Sequence, residues 1–177
     1  MRLRARLEAI DAQTAAFGGQ SAVLKADLDR LRAAAGLSPL QGAGVTVTLD
    51  DGRVAASAPR REVELAIVHS TDLTDVFNSA WKAGAEAISV NGERITSASA
   101  CVGAVIQING TLLSPPFVVQ IVGPVDRLLA VLGDPAELKD QKQRHASFGL
   151  GFAIARNDRL DVPAYSGAVT VRWAKAP

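Results

Sequence analysis

Histidine and cysteine, the side chains that most often bind zinc, are rare in this 177-residue sequence. His69 and His145 are the two histidines, far apart in the chain, and Cys101 is the single cysteine. A zinc site needs at least three protein ligands, usually in short spacings such as His-x-x-x-His. The sequence therefore predicts no metal site, and one cysteine cannot form a disulfide within the chain.

Nucleophilic catalysis would need a serine, threonine or cysteine beside a base. Cys101 lies in an apolar segment, where cysteine packs as a small hydrophobic residue. We interpret His69, at the end of an apolar run, as structural and His145, among polar residues, as solvated. No Gly-x-Ser-x-Gly elbow or dinucleotide-binding glycine pattern occurs. We expect no catalytic residue and no cofactor; an enzyme would need acidic side chains, arginine, His69 or Cys101 to converge in a pocket.

Polar residues at helix starts and turns are the other candidates for function. Asp72 and Asp75 lie three residues apart at a predicted helix start, where carboxylates complement the helix dipole. Two segments with the residue types of turns carry further polar side chains, and these could contact a ligand or a partner. Turn structure alone is the competing interpretation. The candidate contact residues are Asn91, Glu93, Arg94 and Ser114.

Composition narrows the classes of partner. The 19 basic and 18 acidic residues leave a net charge of +1, whereas nucleic-acid-binding domains normally carry a basic excess. Aromatic residues form 5% of the chain, too few for base-stacking platforms. No apolar run reaches the roughly 18 residues of a membrane-spanning helix, and no apolar region of a signal peptide follows the basic start. We expect one globular domain with an appendage.

Residues 1–35 carry the spacing of a coiled coil. Positions four and three residues apart alternate and form one stripe, as in the a/d seam of a heptad repeat. The stripe consists of Leu3, Leu7, Ile10, Thr14, Phe17, Ser21, Leu24, Leu28 and Leu31. Gly18-Gly19 interrupts it. Two interpretations stay open: an amphipathic helix that packs on its own domain, or a stalk that dimerises or lies near a membrane. Residues 36–44 are rich in helix breakers and are predicted to be a linker.

Residues 45–177 are predicted to form an α+β globular domain. Apolar runs predict strands at 65–68, 87–90, 100–108, 117–122 and 151–155, and alternating apolar and polar residues predict strands at 45–49 and 169–173. Helices are predicted around the stripes Leu73–Trp81 and Val125–Leu132, from Asp134-Pro135 onward, and over the polar, surface segment Lys139–His145. Turns are predicted at Asn91-Gly92, Asn109-Gly110 and Asn157-Asp158. The order fits a ferredoxin-like antiparallel or mixed sheet with helices on one face.

Several short segments together carry a family resemblance. The main one is residues 83–95, which run from a helix end through a strand and a tight turn. The others are Asp72-Leu73 with Asn78 and Trp81, Asn109-Gly110 with residues 114–117, and residues 162–165. Over residues 20–173 the sequence resembles the YlxW/YlxX-like family of Gram-positive bacteria, which carries domain of unknown function 881.

The resemblance implies an N-terminal membrane anchor, absent from this sequence, then a short coiled coil and an extracytoplasmic α+β domain. No catalytic residue can be carried over from the family. We expect a non-enzymatic cell-envelope interaction protein associated with cell division or cell-wall assembly. Its partner would be an envelope protein or a second copy bound through the N-terminal helix. The alternative is a small-ligand-binding or sensory α+β domain.

Overall fold

The computed structural model describes residues 20–96 and 106–167. The helices in these ranges are α1 (Gln20–Ala34), α2 (Arg60–Ala66), α3 (Ser70–Lys82), α4 (Val125–Gly133) and α5 (Lys139–Phe148). The strands are β1 (Leu40–Asp50), β2 (Ala87–Val90), β3 (Glu93–Ile95), β4 (Gln107–Ile108), β5 (Thr111–Leu112), β6 (Phe117–Val122) and β7 (Gly151–Val162). The predicted Cys101 segment and the predicted strand 169–173 lie outside the described residues, as does most of the predicted N-terminal stripe.

An antiparallel sheet with the strand order β3-β2-β6-β1-β7 forms the centre of the fold. Strand β1 pairs with β6 on one side and β7 on the other, so that Val47 lies opposite both Val119 and Ile154. A separate two-stranded hairpin joins β4 to β5. The predicted α+β class with an antiparallel sheet is therefore confirmed.

One face of this sheet is apolar because alternate residues of each strand point to the same side. Val45, Val47 and Leu49 of β1 are fully buried there and belong to one cluster with side chains of α3 and α4. The helical members of the cluster include Leu73, Val76, Phe77, Ala80, Leu128 and Leu132. The core therefore lies between the sheet and these two helices.

Strand β1 begins earlier than its sequence pattern predicts. It starts at Leu40, so the second half of the predicted linker 36–44 is strand. The early residues pair with the end of β7, and the register shifts between Gly42 and Gly44. A Cβ atom at Gly44 would lie 1.9 Å from the carbonyl oxygen of Ile121. The absence of a side chain therefore lets β1 continue through this irregularity.

Two predicted strand features are wrong. The apolar run 65–68 is not a strand, because α2 occupies Arg60–Ala66 after Pro59. Four apolar residues cannot distinguish a strand from a helix end by periodicity. The predicted turn at Asn157-Asp158 lies inside β7, where the Thr46 hydroxyl donates to Asn157 Oδ1 at 2.8 Å. Contact with β1 thus keeps these turn-type residues extended.

Two helical predictions also need correction. Helix α5 begins at Lys139 and not at Asp134-Pro135, because buried Leu138 takes a left-handed φ of 50° directly before it. The expected surface helix then buries Gln141 and Arg144. Trp81, expected on the buried stripe of α3, is exposed. By contrast, both Asn-Gly turns are confirmed, since Asn91 and Asn109 have positive φ angles followed by positive-φ glycines.

We predict that Gly44→Ala lowers the free energy of unfolding by about 1–3 kcal/mol, the usual range for overpacking. The new methyl group would overlap the Ile121 carbonyl, which is backbone and cannot rotate away. Urea unfolding measures the change. The matched control is Gly133→Ala, because no atom lies within 4 Å of a Cβ at that position. Equal stability of the Gly44 variant and the control would contradict this account of β1.

Candidate functional site

The predicted contact residue Asn91 stabilises the turn in which it lies. Its side-chain Nδ2 donates to the carbonyl oxygens of Ser114 and Pro116, at 3.2 and 3.1 Å. Its Oδ1 accepts from the backbone N–H of Val118 at 2.7 Å. The structure thus brings the predicted residues Asn91 and Ser114 together, and the amide joins the β2–β3 turn to the start of β6.

Glu93 connects the two Asn-Gly turns. Its carboxylate accepts from the Asn109 side chain at 3.2 Å and from the Thr111 hydroxyl at 2.9 Å. Asn109 also donates to the carbonyl oxygen of Arg94 at 2.8 Å. The hairpin β4–β5 is therefore held against β3 by polar side chains. The polar turn residues were predicted as contacts, but their spacing gave no sign of these mutual bonds.

Arg94 is buried, unlike the exposed contact residue that the sequence suggested. Its Nη1 donates to the carbonyl oxygens of Ser38 and Pro163, at 3.3 and 3.1 Å. Burial lowers the pKa of its guanidinium from the ordinary value. The backbone N–H of Tyr165 donates to the Gly36 carbonyl at 2.8 Å beside it. We call this cluster of Gly36, Ser38, Arg94, Pro163 and Tyr165 the stalk junction, because it lies where α1 meets the sheet.

The stalk junction ties three distant parts of the chain together. Ser38 follows α1, Arg94 lies in β3, and Pro163 follows β7. A guanidinium has five N–H donors in a fixed plane, which suits it to holding several carbonyl groups at once. The direction in which α1 leaves the sheet is therefore determined by buried contacts. Contact of Asn91, Glu93, Arg94 or Ser114 with a ligand or partner stays a prediction.

A second polar cluster centres on a buried ion pair between α3 and α5. Arg144 Nη2 lies 2.5 Å from Asp72 Oδ1, and both side chains are almost wholly buried. Gln141 donates to the same Asp72 oxygen at 3.1 Å and to Asp75 Oδ2 at 3.0 Å. The backbone N–H of His69 donates to Asp72 Oδ2 at 2.7 Å. Asp72 thus caps the start of α3, and Asp72 and Asp75 together bind α5 through Gln141.

Arg144 and His69 line one side of an open cleft of about 410 Å³. Arg144 Nη1 lies 3.2 Å from the Ile67 carbonyl oxygen and 3.1 Å from His69 Nδ1. Since a guanidinium can only donate, His69 Nδ1 accepts and the ring proton resides on Nε2. The remaining lining residues are Arg61, Glu64, Leu65, Thr71, Asp72 and Asp140. The cleft presents both signs of charge.

The charged and polar side chains that line the cleft make it a polar surface suited to binding. Within residues 20–96 and 106–167, no group of three or more His, Cys, Asp or Glu side chains could hold a metal ion. His145, expected to be solvated, places Nδ1 2.7 Å from the Leu150 carbonyl oxygen. No pattern in the sequence indicates the Arg144–Asp72 pair, because a charged residue in a polar helix is typical of a surface position.

Helix α1 presents apolar side chains to solvent. Leu24 is 52% exposed and Leu31 is 67% exposed, and both belong to the a/d stripe. Leu28, between them on the stripe, is half-buried. All the remaining positions from residue 22 to residue 31 are exposed. This part of α1 therefore packs little on the rest of the described chain, and Leu24 and Leu31 of its stripe are exposed. No helix among the described residues is long and apolar enough to cross a membrane.

A family profile and several proteins of similar sequence match this chain. A family profile described as "Bacterial protein of unknown function (DUF881)" matches residues 27–175. UPF0749 protein Rv1823 of Mycobacterium tuberculosis is 35% identical over 162 residues, which cover 86% of this chain and 52% of that protein. UPF0749 protein YlxW of Bacillus subtilis is 37% identical over 118 residues, covering 65% of this chain and 50% of that protein. The chain thus spans about half the length of the curated relatives it matches.

A solved structure resembles the fold. The crystal structure of an uncharacterized conserved protein from Mycobacterium tuberculosis superposes with a TM-score of 0.65 at 25% sequence identity. The match covers 85% of this chain and 99% of that chain. The family match and the two named relatives confirm the resemblance drawn from the short sequence segments.

We predict that Arg94→Met lowers the free energy of unfolding by about 2 kcal/mol, since hydrogen bonds to a charged group contribute this much and two carbonyls would lose a donor. Amide hydrogen exchange at Tyr165, bonded to Gly36, should also become faster. Arg127→Met is the control, because Arg127 is exposed and its guanidinium donates to the Lys82 carbonyl at 3.3 Å. Unchanged exchange at Tyr165 in the Arg94 variant would contradict the role of Arg94 in the stalk junction.

Asp72→Asn should lower the free energy of unfolding by about 3 kcal/mol, because it removes the buried carboxylate and leaves only the exposed Asp140 carboxylate beside the buried Arg144 guanidinium among the described residues. Asp140→Asn is the matched control: its carboxylate lies 2.9 Å from the same guanidinium but is 70% exposed. That substitution should cost no more than about 1 kcal/mol. Chemical denaturation compares the two variants, and equal losses would refute the importance of burial here.

Proposed function

The chain belongs to the DUF881 family of bacterial proteins of unknown function, and we propose that it is a non-enzymatic interaction protein of the cell envelope. In this proposal α1 is a stalk whose apolar stripe binds protein, and the sheet with its helices is the body that the stalk carries. The exposure of Leu24 and Leu31 on α1 carries the argument. Exposed apolar surface of this kind marks an interaction site in a natural protein.

The stalk junction supports this proposal. A binding helix joined by a flexible linker would lose orientational freedom when it binds, whereas a preorganised one avoids part of that cost. Arg94 holds the residues on either side of the junction through two carbonyl bonds. α1 is therefore presented in a defined direction relative to the sheet.

The finer description of the fold belongs to the same proposal. The strand order β7-β1-β6-β2, with helices in the β1–β2 and β6–β7 connections, supports a ferredoxin-like arrangement extended at one edge by β3. Fold likeness by itself carries no function. Membrane attachment through an upstream anchor, an extracytoplasmic position and a link to cell division or wall assembly rest on the family resemblance alone.

A small-ligand-binding or sensory role is the second candidate. The cleft beside His69 favours it, because that cleft is about 410 Å³ and combines Arg61 and Arg144 with carboxylates and the Thr71 side chain. Such a lining suits a small polar ligand carrying both charges. The buried part of the cluster already has partners within the protein, so the structural role of Asp72 and Arg144 is the simpler one.

The proposed function predicts protein cross-links from the apolar stripe of α1. A photo-cross-linking amino acid placed at Leu24 in the full-length protein, expressed in its own host, should give a discrete adduct in the membrane fraction. The same group at Ala26, two residues away on a different face of the helix, is the control and should give none. The absence of any adduct from Leu24, with the protein intact and outside the membrane fraction, would contradict the proposal and favour ligand binding.

A further inference from the structure

The apolar stripe of α1 has the form of a seam between two helices. In the described part of α1 the stripe occupies positions 21, 24, 28 and 31, which alternate as a and d positions of a heptad repeat. Leu24 and Leu31 at the d positions are more than half exposed. Val23, at a c position, is 68% exposed but lies off the stripe. One apolar residue away from the stripe is ordinary, whereas a repeated set along one side requires a cover.

The helix itself also requires support from outside its own domain. An isolated helix of about 12–15 residues is marginal in water, and most helical stability in proteins comes from packing an apolar face. α1 is 15 residues long. Its described positions from 22 to 31 are exposed apart from half-buried Leu28, so its own domain provides little packing. Burial of the leucine stripe against another helix would provide it.

The flanking charges favour one orientation for such a pair of helices. Lys25 and Arg32 occupy e positions, and Gln20 and Asp27 occupy g positions. In a parallel pair each g residue lies beside an e residue of the other helix. Asp27 then lies beside the cation Arg32, and Lys25 lies beside the neutral Gln20. In an antiparallel pair e lies beside e, which would bring Lys25 and Arg32 towards cations of the partner. A second copy of this same helix, in parallel, therefore satisfies the pattern.

The stalk junction leaves room for this pairing. Leu31, only five residues before Gly36, is still 67% exposed, so another helix can follow the stripe almost to the end of α1. Two parallel helices would then place two junctions, and two sheets, at the same end of the stalk. We propose that the partner bound by α1 is a second copy of this chain, in a parallel, in-register coiled coil. This inference rests on the proposed protein-binding role of α1.

The oligomeric state of the purified chain tests the identity of the partner. Light scattering coupled to size-exclusion chromatography over a concentration series should give a dimer for the 177-residue chain. Leu31→Glu should shift it to a monomer, because a charge would enter the seam. Val23→Glu is the matched control, with 68% exposure against 67% at Leu31, and should remain a dimer. Both substituted side chains are exposed, so the fold of the domain should survive, which circular dichroism checks.

Disulfide formation tests the orientation. In a Cys101→Ser background, Leu24→Cys should form an interchain disulfide under mild oxidation, because equivalent d positions lie opposite each other in a parallel pair. Ala26→Cys at an f position is the control and should not. Selective linkage of Leu24→Cys to Leu28→Cys in a mixture, without linkage of Leu24→Cys to itself, would show antiparallel pairing and overturn the proposal.

The failures of the two proposals are distinguishable. A chain that stays monomeric at all concentrations, while the Leu24 photo-adduct in cells contains a different protein, would overturn the parallel dimer and keep the interaction function. A chain that is monomeric and gives no adduct would overturn both. A dimer that persists in both Leu31→Glu and Val23→Glu would show that the interface lies elsewhere, which would contradict the inference.

Discussion

The burial of Arg94 is the constraint on which the architecture of this chain depends. Its guanidinium lies beneath the point where α1, β3 and the segment after β7 meet, and it donates to carbonyls on two of these segments. A buried charge is tolerated only when its donors find acceptors. Burial of this guanidinium therefore requires the segments before β1 and after β7 to pack over β3. This packing determines the direction of α1.

The second buried arginine has a corresponding task on the helical side. Arg144 joins α5 to the start of α3 through Asp72, and Gln141 adds bonds to Asp72 and Asp75. These groups have the appearance of an active site, since they include a histidine, carboxylates and an open cleft. Their polar atoms are nevertheless directed mainly at one another. The described part of the chain thus combines two buried polar clusters with exposed leucines on α1, and these features support the proposed interaction function.

Local chemistry decided which features could be predicted from the sequence. Both predicted Asn-Gly turns are confirmed because the preference of these residues for positive φ is local. The central strands β1 and β6 were predicted because apolar residues recur along them, at alternate positions in β1 and in a run in β6. The predicted strand 65–68 is wrong because four apolar residues fit either a strand or a helix end. The predicted turn at Asn157-Asp158 is wrong because contact with Thr46 overrides the turn preference of Asn157. The burial of Arg94 and Arg144 arises from contacts between segments distant in sequence, so no spacing could indicate it.

In the proposed dimer, α1 presents its leucine stripe to a second, parallel copy of the chain. Double electron–electron resonance on the Cys101→Ser chain with a spin label at Ala26 tests it most directly, because the label lies outside the seam and leaves the stripe intact. The account predicts one narrow interspin distance, because equivalent outer positions of two parallel, in-register helices lie at the same level on opposite sides of the pair. The absence of dipolar coupling at concentrations where the chain is folded would contradict it.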